Sequence, residues 1–463
     1  MSPAPTARSL APPLALCHLL KSNIGPGMLS LPHTFSLLPN GVLVPVFLAI
    51  FLLTSLNSAL LAALAAQAFP PPETATYTKL GERAFGRGGR RLVQVSVILQ
   101  QLSVCTVYFT FIATNLSMVD PLWPPSVASS AARSKIVMVL SYPLIMAGVL
   151  LTRHLTTLNV INSVATAMLF VSIAVILYIT TCGLKEGAGD DDDGDGGGGS
   201  GGGGPSFVTV VTASCAILYS FEGICLVLPI QNALSPRGLF PPLYAAGISA
   251  VAATYFLFSY STSAALRDHV TSGSITAYLT EAADQLVAPS WAINVVNILL
   301  TIMVLITYPL MFFPVIEIVD EWASPGGGGA GGQAAGAYET LGDSEDDWDA
   351  VVKDAPPSPP PPTPAAAVPA TLSTAASSFF LGPNGQKWAL VTGTFLIALL
   401  VSDTAAMISL AGSLAGSLSA LILPPLIAAK MMAKEGGGQG GGVRAALRRT
   451  MLYASLGLGL VMM

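Results

Sequence analysis

Uncharged apolar runs of about 15 to 30 residues recur along nearly the whole chain, close to the roughly 20 residues that cross a bilayer as helix. Short alternating runs of about 10 residues, the mark of a membrane barrel, are not the pattern here. Lipid offers no partner for a backbone amide or carbonyl, so spans of this kind must be helices, each satisfying its own hydrogen bonds. Composition agrees, with 52% of residues hydrophobic and 10% charged, against about 25% charged in a soluble domain. The expected fold class is an all-α integral membrane protein whose principal partner is the lipid bilayer.

Eleven candidate spans follow, at about 14 to 36, 42 to 66, 92 to 117, 136 to 152, 156 to 182, 206 to 230, 242 to 266, 287 to 314, 387 to 403, 404 to 430 and 450 to 463. The last is short. The first carries Lys21 and runs into a Gly-Pro break instead of a small-residue cleavage site, so it is expected to direct insertion itself and not to be a cleaved signal. With the N-terminus placed in the cytoplasm, fifteen of the twenty Lys and Arg fall on the inner side, and Arg133, Lys135, Lys185 and Arg267 fall outside. Lys21 lies within the span. This positive-inside bias supports both the orientation and an odd number of spans.

The pattern divides the chain into a short cytoplasmic N-terminus (1–13), a first group of five spans (14–182), an outer loop (183–205), a second group of five (206–430), and a linker with a final helix (431–463). The outer loop reads KEGAGDDDDGDGGGGSGGGGP over 185–205. Its five aspartates lack the ordered spacing and closing Glu of a calcium loop, so it reads as a solvated spacer. The cytoplasmic segment 324–386 holds Gly runs, the acidic SEDDWD and the polyproline PPSPPPPTP. Too little of it is apolar to bury a core, and disorder is expected.

Several function classes are disfavoured. The net charge of −5 comes largely from acidic loops, and no folded basic face speaks for nucleic acid. Cys17, Cys105, Cys182, Cys215 and Cys225 lie in or beside apolar runs without a CxxC, so neither a disulfide framework nor a metal site is indicated. No HExxH, GxSxG or paired-aspartate arrangement speaks for an enzyme, and no cofactor is implied.

Two spans carry the chemistry. In the first, SNIGPGMLSLP (22–32) puts Gly25, Pro26, Gly27 and Pro32 where a plain anchor would carry leucine. Proline removes a donor and clashes with the preceding turn, so the helix is expected to break near the bilayer midplane. Irregular backbone at that depth is tolerated only beside protein or a wet cavity. Amides from Gly25 to Met28 would then present the positive end of a half-helix to an anion such as a carboxylate.

In the sixth span, SFEGICLVLPIQN (220–232) sets Glu222 beside Gly223, with Pro229 six residues on. An intramembrane carboxylate is expensive unless paired, protonated or wetted. It is either a functional group or a buried hydrogen bond that holds the break in shape. Spans one and six are the first members of successive groups of five, and an odd number per group inverts the second. That is the arrangement of an inverted-repeat transporter with discontinuous helices meeting at the midplane.

These residues resemble the amino acid/auxin permease family, in its proton-coupled and vacuolar amino acid transporter branches. The likeness rests on LLKSNIGPGMLSLP (19–32), YSFEGICLVLPIQN (219–232), TYTKLGERAFGRGGRRLVQVSVILQQLSVCTVYF (76–109), LITYPLMFFPVIEI (305–318) and SLAGSLAGSLSALILPPL (409–426). The resemblance implies a five-plus-five inverted repeat of the LeuT type, with helices 1 and 6 broken. It also implies a cytoplasmic N-terminus and transport of amino acids, with small neutral ones favoured, driven by protons. The resident membrane would be the plasma membrane or a vacuolar or lysosomal one. Substrate contacts are implied for Asn23, Ile24, Gly25, Gly27 and Met28 in span one and for Tyr219, Ser220, Phe221 and Gly223 in span six, amides of the first suiting the carboxylate and carbonyls of the second the ammonium.

His18 matches a histidine that the proton-coupled branch carries just before this LLK and that has been linked to coupling. Its unperturbed pKa near 6.5 suits a proton carrier. Glu222 is the rival carrier, and a buried histidine is also often a packing residue. The family often has Glu-Asn after the Leu-Pro of span six, where this chain has Gln231 and Asn232. Thr301 and Thr307 fall where sodium-coupled relatives of the fold place a cation ligand, although hydroxyls in such helices usually bond their own backbone. Gly412 and Gly416 read as close helix packing, and Asn115 heads a formal glycosylation sequon near the membrane. A second function remains open, an amino-acid sensing receptor that uses the same pocket and signals through the 324–386 segment.

Overall fold

The computed structural model describes residues 12–70, 73–124, 127, 129–151, 155–182, 205–221, 223–234, 236–266, 273–323, 383–401, 403–434 and 443–463. The segments expected to be disordered or solvated, 324–386 and the acidic loop 183–205, lie almost wholly outside the described residues. What is described is helical, with no strand among the described residues.

In chain order the helices are α1 (Pro12–Asn23), a 3-10 turn (Pro26–Ser30), α2 (Leu31–Ser36), α3 (Asn40–Ala68), α4 (Tyr77–Phe85), α5 (Arg87–Ser117), α6 (Ser130–Leu151) and α7 (Leu155–Cys182). The second half holds α8 (Phe207–Ser220), α9 (Ile224–Ala233), α10 (Phe240–Ala265), α11 (Ile275–Glu281), α12 (Ser290–Ala323) and α13 (Pro383–Leu400). It closes with α14 (Thr404–Ala411), a π-helix (Gly412–Ile422), α15 (Leu423–Lys434) and α16 (Val443–Met462). Eight helical segments among the described residues are long and apolar enough to cross a membrane, at the places of expected spans two to eight and ten, the sixth counted across its break from α8 to α9. Gly385–Leu400 and Leu452–Met462 are shorter apolar helices, and the first span is divided.

Helix α5 lies at the centre, packed against α4, α6, α12, α13, α14 and the π-helix. Buried hydroxyls along the bundle mostly bond the preceding turn of their own helix, as Thr54 to Ile50 O and Thr106 to Leu102 O, which meets their need at no demand on a neighbour.

The π-helix shows how sequence sets backbone and backbone recruits side chains. At its end the Leu423 amide still reaches five residues back, to Leu418 O. Returning to α spacing skips one carbonyl, that of Ser419, and Pro424 has no N–H with which to pair Ala420 O. Both oxygens are met from elsewhere: the Tyr77 hydroxyl donates to Ser419 O at 2.9 Å, and Asn57 Nδ2 donates to Ala420 O at 2.8 Å. Burial pushes the Tyr77 phenol up, with a smaller contribution from Cys225, so it stays a proton donor. At its start the π-helix crosses α8 at Gly412, where a Cβ would stand 1.9 Å from Cys215 O. Only glycine lets the two backbones approach this closely. A Cβ on Gly416 would make only an ordinary contact, 3.4 Å from Leu218 Cγ.

Candidate functional site

Both expected breaks are present, and they meet. Helix α1 ends at Asn23, Gly25 is extended (φ −131°, ψ −176°), and Pro26 opens the 3-10 turn that runs straight into α2. Helix α8 ends at Ser220, Phe221 lies in a turn, and α9 starts at Ile224. Each break supplies a glycine onto which the other lays a side chain. A Cβ on Gly27 would stand 3.0 Å from Tyr219 Cε1 and 3.4 Å from Ser220 Oγ, and one on Gly223 would stand 2.1 Å from Asn23 Oδ1.

Gly25 differs from both. It is half-buried, yet among the described residues a Cβ on it would meet nothing within 4 Å. Among those residues, open space thus lies beside the extended backbone of the first break, where a helical span would have put a filled turn.

The amides at this break are fewer than the sequence suggests. The Ile24 N–H closes the last turn of α1 on Leu20 O, and the Met28 N–H is taken by Gly25 O at 3.2 Å. Among the described residues, no backbone carbonyl takes up the amides of Gly25 and Gly27, and that of Gly25 is turned to the Tyr255 hydroxyl.

The carbonyls converge on a residue that sequence reasoning missed. Tyr255 of α10, fully buried, directs its hydroxyl to Asn23 O and to Ser220 O, the latter at 3.0 Å. These oxygens close α1 and α8, so two negative helix ends face one phenol. The signal available in sequence is a polar row: Tyr255, Ser259 and Ser263 repeat every four residues, on one face of α10. Ser263 Oγ donates to Pro32 O at 2.8 Å. The stripe therefore follows the interrupted first span from Asn23 to Pro32.

The remaining expected site residues divide clearly. Asn23 is buried with Nδ2 on Leu19 O at 2.9 Å, which fixes its Oδ1 on the Gly223 side. Ile24 and Met28 are buried. Ser220 Oγ donates to Ala216 O. The Phe221 ring packs among Phe47, Phe51 and Tyr255, which leaves its backbone at the break and its side chain in an aromatic cluster. The side chain of His18 and the whole of Glu222 lie outside the described residues. Thr301 and Thr307 bond Asn297 O and Met303 O on their own helix, as expected of membrane hydroxyls.

Buried polar contacts close the bundle on both sides of the breaks. At one end α11 packs against the 3-10 turn, and its Thr276 donates to Asn115 Oδ1 at 2.5 Å while Thr114 and Thr404 share a hydrogen bond. Asn115 is 1% exposed, so its sequon serves packing. At the other end Gln231 Nε2 donates to Ala62 O at 3.0 Å, and Asn232 exchanges two bonds with the backbone of Ala75. Beside them Arg90 bridges Glu82 and Glu321, and Gln94 joins Glu321 to Trp322. Gln231, which departs from the expected Glu in charge, and Asn232 are thus neutral ties between α9, α3 and the segment leading to α4.

The sequence is similar to those of known membrane proteins. The family described as transmembrane amino acid transporter protein matches residues 11–463. The chain is similar to Amino acid transporter ANT1 of Arabidopsis thaliana, 24% identical over 249 residues, covering 54% of this chain and 52% of that protein. It is also similar to Amino acid transporter AVT3C of the same organism, 26% identical over 261 residues, covering 54% of this chain and 56% of that protein. The chain spans about half the length of the curated relatives it matches.

Proposed function

The chain belongs to the transmembrane amino acid transporter family, a multi-pass membrane family and not one of enzymes, and from that premise we propose that it is a secondary active transporter of amino acids whose substrate sits between the two broken helices. The observation that carries this reading is the arrangement at the breaks. Among the described residues, open space lies at Gly25, the amide of Gly27 has no backbone partner and that of Gly25 is held only by the Tyr255 hydroxyl, and two helix-terminal carbonyls converge nearby. An α-amino acid is a carboxylate joined to an ammonium through one carbon. The amides of Gly25 and Gly27 suit the first group and the carbonyls of Asn23 and Ser220 the second.

Small neutral side chains suit a site bounded by buried Ile24, Met28 and Tyr219 with no charged group among the described residues around it. Eleven spans in a five-plus-five inverted repeat account for the breaks falling at the first member of each group. We read the driving ion as the proton, with His18 and Glu222 as the two candidate carriers. The membrane is the plasma membrane or a vacuolar or lysosomal one.

Uptake of labelled alanine by the purified protein in lipid vesicles, with and without an imposed pH gradient, tests the reading. Saturable uptake that rises with an inward proton gradient is expected. Uptake indifferent to the gradient would remove proton coupling and leave transport standing, and binding without flux would favour the receptor.

A further inference from the structure

Helix α5 opens on the basic stretch RGGRR (87–91), and its exposed face changes character one turn later. Arg87 and Arg91 are exposed and four residues apart, so they stand one above the other on that face. Leu92, Val95 and Leu99 continue the same face and are exposed as well. Cations at the end of a bare aliphatic face match the two parts of a phospholipid, a phosphate-bearing headgroup and an acyl chain.

The fold holds two further cations at this corner. The Arg83 guanidinium of α4 lies over the Phe69 ring, 5.5 Å from its centroid, and Lys434 Nζ, at the end of α15, donates to Arg83 O at 2.8 Å. Gly86, at φ 71°, turns the chain from α4 into α5, so Arg83 and Arg87 flank one tight bend. Carboxylates do not neutralise the group. Arg90 takes both Glu82 and Glu321, at 3.0 and 2.7 Å, and among the described residues no carboxylate pairs with Arg83, Arg87, Arg91 or Lys434. The start of a 31-residue helix adds its positive end to their field. Membrane orientation asks only that cations lie on the inner side, and it does not ask that four of them gather below one aliphatic stripe.

We propose that this corner binds an anionic phospholipid of the cytoplasmic leaflet: Arg87 and Arg91, with Arg83 and Lys434 beside them, hold the headgroup, and an acyl chain lies along Leu92, Val95 and Leu99. Guanidinium groups suit the phosphate because they offer paired N–H donors. Clusters of about four or more Lys and Arg just cytoplasmic of a span attract acidic lipids. A soluble anion would use the charges and leave the aliphatic face bare, whereas a lipid uses both. A bound headgroup joins the ends of α4, α5 and α15 at one point. The inference is independent of which solute the protein carries.

The test titrates the full-length protein in detergent with fluorescent short-chain phosphatidylserine and with phosphatidylcholine of the same tails. Phosphatidylserine should bind about tenfold more tightly. Arg87→Gln with Arg91→Gln should bring the two lipids to within about twofold, whereas Lys387→Gln, at the inner start of α13, should leave the preference intact. Glycerophosphoserine, the same headgroup without tails, should not compete at concentrations that saturate with the lipid. Equal affinity for the two lipids, a preference that survives in the double variant, or competition by glycerophosphoserine as strong as by the lipid overturns the proposal. So does a preference that emerges only when residues 342–350 are deleted, since the acidic GDSEDDWDA would then be the occupant. Both arginines are exposed, and the double variant should fold as the parent does. Where it is not recovered, Arg91→Gln alone decides: a preference cut about threefold supports the site and an unchanged one overturns it.

Discussion

Asn23 lays its carboxamide oxygen against the backbone of Gly223, 2.1 Å from where a Cβ at that position would begin. The carboxamide has little freedom to retreat, because its other end donates to Leu19 O. One contact thus sets how closely the two broken spans approach, and it sets the sign of the Gly223 substitution.

Gly223→Ala should push the breaks apart, lowering stability by about 1–3 kcal/mol and sharply reducing uptake. Gly27→Ala meets the edge of the Tyr219 ring at 3.0 Å and should give a smaller loss. Gly25→Ala meets nothing and should fold and insert as the parent does, whereas Gly25→Leu should insert normally and abolish uptake by filling the open space. Thermal unfolding in detergent and uptake in vesicles, read together, separate the cases. Normal kinetics for Gly25→Leu would contradict the proposed substrate geometry.

The carbonyls freed at the end of the π-helix predict a second set of effects. Tyr77→Phe and Asn57→Leu each remove the donor that meets a buried oxygen, Ser419 O or Ala420 O. Each should cost about 1–3 kcal/mol, seen as a lower Tm. Thr301→Val is the control, since its hydroxyl bonds only its own helix, and it should stay within about 1 kcal/mol of the parent. Equal losses in all three would mean that the π-to-α junction has no special need of these side chains.

Gln231 gives a pH-dependent prediction. Its amide donates to Ala62 O from a buried position, and glutamate can make that bond only when protonated. Gln231→Glu should therefore be less stable than the parent at about pH 8 and regain most of the difference as the pH falls to about 5. A Tm difference that does not change with pH would show that the side chain makes no such bond in solution.

The parts of this architecture that were legible in sequence are those governed by short-range chemistry. Gly25-Pro26-Gly27 forbids a continuous helix whatever surrounds it, and the lengths of the apolar runs follow from the bilayer. The irregularity of the tenth span was not legible, because its Gly and Ser residues suit close packing as well as a π-helix. What stabilises that form is Tyr77 and Asn57, more than three hundred residues away in the chain. Tyr255 was overlooked for the same reason. A tyrosine in an apolar helix has many uses, and only the fold brings the ends of α1 and α8 to its hydroxyl. The reading of the first break was right about the backbone but too generous in its count of free amides, since the 3-10 turn commits Met28 to Gly25.

The central claim is that the paired breaks hold an amino acid in transit, and its most direct measurement is uptake of labelled alanine into vesicles by the wild-type protein beside Gly25→Leu, under an inward proton gradient. The account predicts saturable, gradient-stimulated uptake by the wild type and none above empty vesicles by the variant, with both inserted to the same extent. Wild-type vesicles that accumulate no amino acid, or a Gly25→Leu variant that transports as the wild type does, would contradict it.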